Sequence, residues 1–125
     1  MKRLIVESYL LLLQIEFVMS FRSILSLYEK VKSARLCSQP GGRIAGVEEL
    51  CRAMDFACVL YPKQVLCLQR SAATTLFLRR RGIAAEMVIG AQLLPFKSHA
   101  WVESEGAVVN DKPYVREIYR ILDRC

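Results

Sequence analysis

His99-Ala100-Trp101-Val102-Glu103-Ser104-Glu105-Gly106-Ala107-Val108-Val109-Asn110-Asp111 is the stretch on which the fold turns. The residues on either side of Ser104-Glu105-Gly106 read as two antiparallel strands joined by a tight turn. A three-residue loop with its glycine in the left-handed region is a favoured hairpin connection. With that loop, Glu103 pairs with Ala107, Trp101 faces Val109 and His99 faces Asp111. Directly paired residues share a face, with Cβ atoms roughly 4.5–5.5 Å apart. The register therefore predicts an imidazole beside a carboxylate that accepts from its N–H, fixes its tautomer and stabilises the imidazolium. His99 is the only histidine in the chain. Any imidazole chemistry must run through it, and a multi-histidine metal site is excluded.

Upstream of the hairpin, Ala85, Met87 and Ile89 alternate with Glu86 and Val88 in a strand ending at Gly90, followed by a turn at Leu94-Pro95. A helix is expected from Val65 or Leu66 to the Arg79-Arg80-Arg81 run, with Gly82 as its C-cap. Its apolar residues, from Leu66 and Leu68 to Leu76 and Phe77, cover much of its circumference, so it should be central. Tyr61-Pro62 separates it from a helix over 46–60, whose Val47, Leu50, Cys51, Met54, Ala57 and Cys58 share one face. Gln39-Pro40-Gly41-Gly42 is a loop, and residues 21–34 and 4–19 read as two more helices, the former capped by Ser20. The apolar tail 113–122 suits helix or strand. Helices followed by a mostly antiparallel sheet make an α+β domain.

A chain of 125 residues with 54% hydrophobic content is one domain, 1–125, and not a disordered chain. Its net charge is +6, yet the basic residues are not interleaved with exposed aromatics and no recognition helix is evident, so no nucleic-acid partner is expected. The arginine run complements the negative end of a helix dipole. The five cysteines are an odd number without a CxxC pair, which argues against a disulfide framework and for a cytoplasmic location. Zinc is not expected either, because Cys37, Cys51, Cys58, Cys67 and His99 lack paired ligand spacing; no metal or cofactor is called for.

Met1-Lys2-Arg3 and the apolar stretch after it superficially suggest a signal peptide or membrane span. Glu7, Gln14 and Glu16 interrupt that stretch, and the uninterrupted run is far short of the roughly 20 residues a bilayer needs. A helix whose apolar residues circle most of its surface needs a cover, and a protein partner is favoured over a membrane surface.

A His–Asp pair needs a nucleophile to become a catalytic triad. Cys67 follows Pro62-Lys63-Gln64 within the first turn of the central helix. There a thiol feels the positive end of the helix dipole, which favours the thiolate, and the free N–H groups can hold an oxyanion. Cys51 and Cys58 lie within a helix, Cys37 borders a loop and Cys125 is terminal. Gln64 is a candidate for the oxyanion hole or simply a helix-start residue. Trp101 reads as core, and Arg70 and Ser71 as supports for helix packing.

Cys67-Leu68-Gln69-Arg70-Ser71, Leu78-Arg79-Arg80-Arg81-Gly82-Ile83-Ala84-Ala85, Val88-Ile89-Gly90, Pro95-Phe96 and Ser98-His99-Ala100-Trp101-Val102-Glu103 arrive in this order on a helix, a strand and a strand. Together they closely resemble the transglutaminase-like leader peptidases of lasso-peptide biosynthesis, most strongly over residues 61–111. The resemblance implies a papain-like core over 61–125, with residues 1–60 as a helical docking region. It implies a cysteine protease with Cys67 as nucleophile, His99 as base and acid, and Asp111 as orienting acid. The implied reaction removes the leader from a ribosomally made precursor. The implied partners are the precursor leader, a separate small leader-recognition protein, since no fused winged-helix-like module is expected in this chain, and the macrolactam-forming cyclase. The same triad would also serve an amide-forming acyltransferase, and a degenerate fold would serve as a precursor-binding adaptor.

Overall fold

A computed structural model describes residues 2–34, 46–93 and 95–125. The expected loop at 39–42, Cys37 and Leu94 of the expected turn lie outside the described residues. The elements run α1 (Lys2–Phe21), α2 (Ile24–Ser33), α3 (Val47–Leu60), α4 (Cys67–Arg80), β1 (Glu86–Leu93), β2 (Phe96–Ser104), β3 (Ala107–Val108), α5 (Val115–Ile118) and β4 (Arg120–Arg124). The strands form one antiparallel sheet in the order β3-β2-β1-β4. The fold is α+β, as the helix-then-strand order implied.

The helices share a core with one face of the sheet. Leu11, Leu12 and Ile15 of α1 pack with Leu50 and Met54 of α3, with Ala73 and Phe77 of α4, and with Met87 and Val102 of the sheet. Such burial, at roughly 25 cal/mol per Å² of apolar surface, is the main force holding these layers together. On the opposite face, Val88, Trp101 and Val115 form a smaller cluster capped by Tyr119 and Val108. Eight consecutive residues of α4, Ser71–Leu78, are buried, which is the central position its apolar circumference predicted. Gly82 ends that helix at φ 79°, donating to Arg79 O at 3.1 Å, while Ile83 reaches back to Leu78 O at 3.0 Å. The Arg79 guanidinium gathers the carbonyls of Val31, Ala34, Ala85 and Cys125, tying the end of α2 to β1 and β4.

Several expectations need correction. The N-cap of α2 is Ser23, whose hydroxyl accepts from Ser26 N–H at 3.2 Å, and Ser20 remains inside α1. The first helix is therefore longer than 4–19, and its 20 residues are long and apolar enough to cross a membrane by length and composition. Its Leu11, Leu12 and Ile15 are nonetheless buried in the protein, while Val6, Leu10, Leu13, Phe17 and Phe21 remain exposed on the other side. The first strand continues past Gly90 to Leu93. The tail is both helix and strand: α5 turns the chain, and β4 then pairs with β1.

The hairpin register is also shifted by one residue. Ser104 pairs with Ala107 and Glu103 with Val108, so the loop is the two-residue Glu105-Gly106. Both residues have positive φ, 51° and 79°, as a type I′ turn requires. Glutamate is an uncommon choice at such a position, which is why the sequence pointed to the longer loop. Val109 N–H then donates to Val102 O at 2.9 Å, so Val109 faces Val102 and not Trp101. The third strand ends at Val108, well short of the expected Asp111.

Candidate active site

The central helix begins at Cys67, with Leu66 as its extended N-cap residue. Leu66 has no polar side chain to accept from the first-turn N–H groups, and that turn holds no carboxylate. Its leading N–H groups therefore have no intrahelical partner. Gln69 Oε1 accepts from Leu66 N–H at 3.0 Å, and Gln69 Nε2 donates to Glu16 of α1 at 2.7 Å. Lys63 also reaches Glu16, at 2.9 Å, and this hydrogen bond holds the Glu16 carboxyl below its usual range. The approach to Cys67 is thus moored to α1 from two sides. Gln64 is exposed and precedes the helix.

Cys67 is the exposed cysteine among the described residues. Burial pushes the Cys51 thiol up to about 11 and also raises those of Cys58 and Cys125, so these three are poor nucleophiles.

The structure joins His99 to Asp111: His99 Nε2 lies 2.5 Å from Asp111 Oδ2. Both side chains are about three-quarters buried, with relative exposures of 24% and 22%. The second Asp111 oxygen accepts from Lys112 N–H at 2.7 Å. Burial alone would raise the Asp111 carboxyl, but the His99 hydrogen bond, the Lys112 amide and the nearby charges of His99 and Arg70 outweigh it, so the group is held low and ionised. The His99 ring packs against both Tyr119, at 5.2 Å and 27°, and Trp101, at 6.1 Å and 29°, and these two rings also meet each other, at 6.2 Å.

The pair meets by a different route from simple cross-strand register. Where the next ladder bond would form, Asn110 Oδ1 accepts from Val102 N–H at 2.7 Å. The side chain replaces the strand, and the chain leaves the sheet with Asp111 turned to His99. Asn110 Nδ2 also donates to Ser71 Oγ at 3.2 Å, Ser71 donates to Ala100 O at 3.0 Å, and Arg70 donates to Asn110 O at 2.9 Å. Ser71 lies one turn after Cys67 on the same face of α4, and Ala100 adjoins His99. At the other end of the helix, Ala84 accepts from Ser104 at 2.5 Å. The N-terminus of α4 therefore points to the end of the sheet that carries His99. Cys67 itself makes no hydrogen bond to His99 or Asp111 among the described residues. Sequence reasoning did not single out Asn110 or Tyr119; the only signal was the position of Asn110 directly before the acid.

The sequence profile of the transglutaminase-like superfamily matches residues 11–124. The chain belongs to the transglutaminase-like superfamily. Within this transglutaminase-like chain, 51 residues are 47% identical to the microcin J25-processing protein McjB of Escherichia coli. That match covers 41% of this chain and 24% of McjB, so the similarity spans about a quarter of the relative's length. No solved structure matches. A cavity of about 750 Å³, lined among others by Arg79, Glu86, Glu103, Arg116 and Arg124, opens at the far end of the sheet from His99. Its Arg116 and Arg124 are paired with Glu103.

Proposed function

We propose that this chain is a cysteine peptidase that removes the leader from a ribosomally made lasso-peptide precursor in the cytoplasm. The observation that carries the reading is the bond between His99 Nε2 and Asp111. It is supported by the exposed Cys67 at a helix N-terminus whose N-cap residue offers no side-chain acceptor, and by the identity to McjB. With Nε2 committed to an ionised carboxylate, Nδ1 is the ring nitrogen left to exchange a proton with the thiol. Cys67 thiolate attacks the carbonyl at the leader–core junction, and the N–H groups of the first helical turn face the developing oxyanion. His99 protonates the departing core amine, then takes a proton from water as the water cleaves the leader thioester, which frees the leader carboxylate and the thiol. Residues 61–125 supply these groups. Residues 1–60 serve docking to a separate small leader-recognition protein, with the macrolactam-forming cyclase taking the released core.

The test is cleavage of a synthetic lasso-peptide precursor, with a leader-recognition protein present, followed by mass spectrometry. Cys67→Ala is expected to release no leader while still binding the precursor, and Asp111→Asn to retain the fold but turn over at least tenfold more slowly. Leader release by purified Cys67→Ala would remove the thiol from the mechanism.

A further inference from the structure

We propose that the open edge of β2 beside His99 is the docking strand for the substrate, which adds to the sheet as an extended peptide at Ser98. The inference rests on the peptidase reading and says how that site holds its chain.

Along β2, backbone groups point alternately to its two neighbours. Val102 O accepts from Val109 N–H, so residue 102 faces the β3 side. Met87 exchanges both bonds with Cys125, so odd-numbered residues of β1 face β4, and its even-numbered residues face odd-numbered partners on β2. Both observations give the same parity: Ser98, Ala100 and Val102 turn their backbone groups away from β1. The third strand meets this edge only at Glu103 and Ser104. Beyond them, Asn110 takes the Val102 N–H and the chain departs. Ser71 takes the Ala100 carbonyl. The N–H and C=O of Ser98 and the N–H of Ala100 make no hydrogen bond among the described residues, and Ser98 is exposed.

An unpaired edge is a template for another strand. This one adjoins His99 at the sheet end to which the N-terminus of α4 points, so a peptide laid along it passes between the imidazole and the helix that begins with Cys67. Strand addition recognises main chain at alternate residues and leaves side-chain selection to whatever lies beside them. The ligand class is thus an extended segment with a free N–H at the residue facing Ser98, which a proline there would lack.

The experiment is an amide-to-ester scan of the synthetic precursor, one residue at a time around but excluding the scissile bond, cleaved by wild-type protein with the recognition protein present. Loss of one backbone hydrogen bond should lower kcat/KM about fivefold to tenfold at the residue facing Ser98. The residue before it should be insensitive, and the residue after it should show only the smaller loss that comes from weakening the carbonyl that accepts from Ser98 N–H. A flat scan, or equal losses at adjacent residues, overturns the proposal. In parallel, Ser98→Pro deletes the outward N–H without touching the ladder to β1. It should show a similar loss in kcat/KM with an unchanged unfolding midpoint, and full activity in folded Ser98→Pro overturns the proposal as well. Cys67→Ala separates the two ideas: cleavage by that variant defeats the peptidase reading, whereas a flat scan with inactive Cys67→Ala defeats the docking strand alone.

Discussion

Gly90 sits opposite His99 in the pairing of β1 and β2. A Cβ at that position would lie 2.8 Å from the Trp101 ring and 2.9 Å from Tyr119 Cβ, the two residues whose rings pack against the imidazole and against each other. Neither neighbour yields easily, since Trp101 is fully buried and Tyr119 is fixed at the corner between α5 and β4. Glycine is required here for space, and its backbone freedom is not used. Gly90→Ala is expected to destabilise the fold by about 1–3 kcal/mol, the usual range for overpacking. The urea midpoint should fall accordingly, and leader release should slow as the rings around His99 shift. An unchanged midpoint would show that the rings can move aside.

At the scale of the element, β3 is short because Asn110 ends it. Asn110→Ala leaves the Val102 N–H unpaired in a fully buried position, which costs about 1–3 kcal/mol. It also removes the restraint that turns Asp111 to His99, so the rate of leader release should drop by more than Asp111→Asn alone produces. Denaturant unfolding and the cleavage assay together check this, and a variant with wild-type stability would remove Asn110 from its proposed place. The first two strands, the central helix with Cys67 at its head, and the partnership of His99 with Asp111 were legible from alternation, capping residues and spacing. The route between the last two was not. A turn with Glu105 at positive φ shifts the ladder by one residue, and Asn110 compensates for the shift, so the correct pair was reached through an incorrect register. The tail was ambiguous for another reason: β4 is a strand because it pairs with β1, some thirty residues upstream, and no local pattern reports that. Tyr119 escaped notice because its stacking on His99 depends on the same distant pairing.

For the whole molecule, acid stability follows from its buried carboxylates. Glu103 is 5% exposed; burial would raise its carboxyl, but Arg124, Trp101 and Arg116 together hold it low, as His99 and Lys112 do for Asp111. Groups lowered in the folded state contribute stability that is complete above the unfolded carboxylate range, about pH 4, and is lost as pH falls through their folded values. The urea midpoint should therefore decline from pH 5 towards pH 3, and Glu103→Gln should flatten that decline. An undiminished slope in the variant would assign the acid sensitivity elsewhere. The convergence of Val31, Ala34, Ala85 and Cys125 on Arg79 reaches further. A nascent chain leaves the ribosome with its helices first and β4 after them. Until the Cys125 carbonyl emerges, the guanidinium lacks one of its acceptors and the outer side of β1 has no strand beside it. Until then the sheet is one strand short of completion, with a bare edge that chaperones, or another nascent copy, can reach.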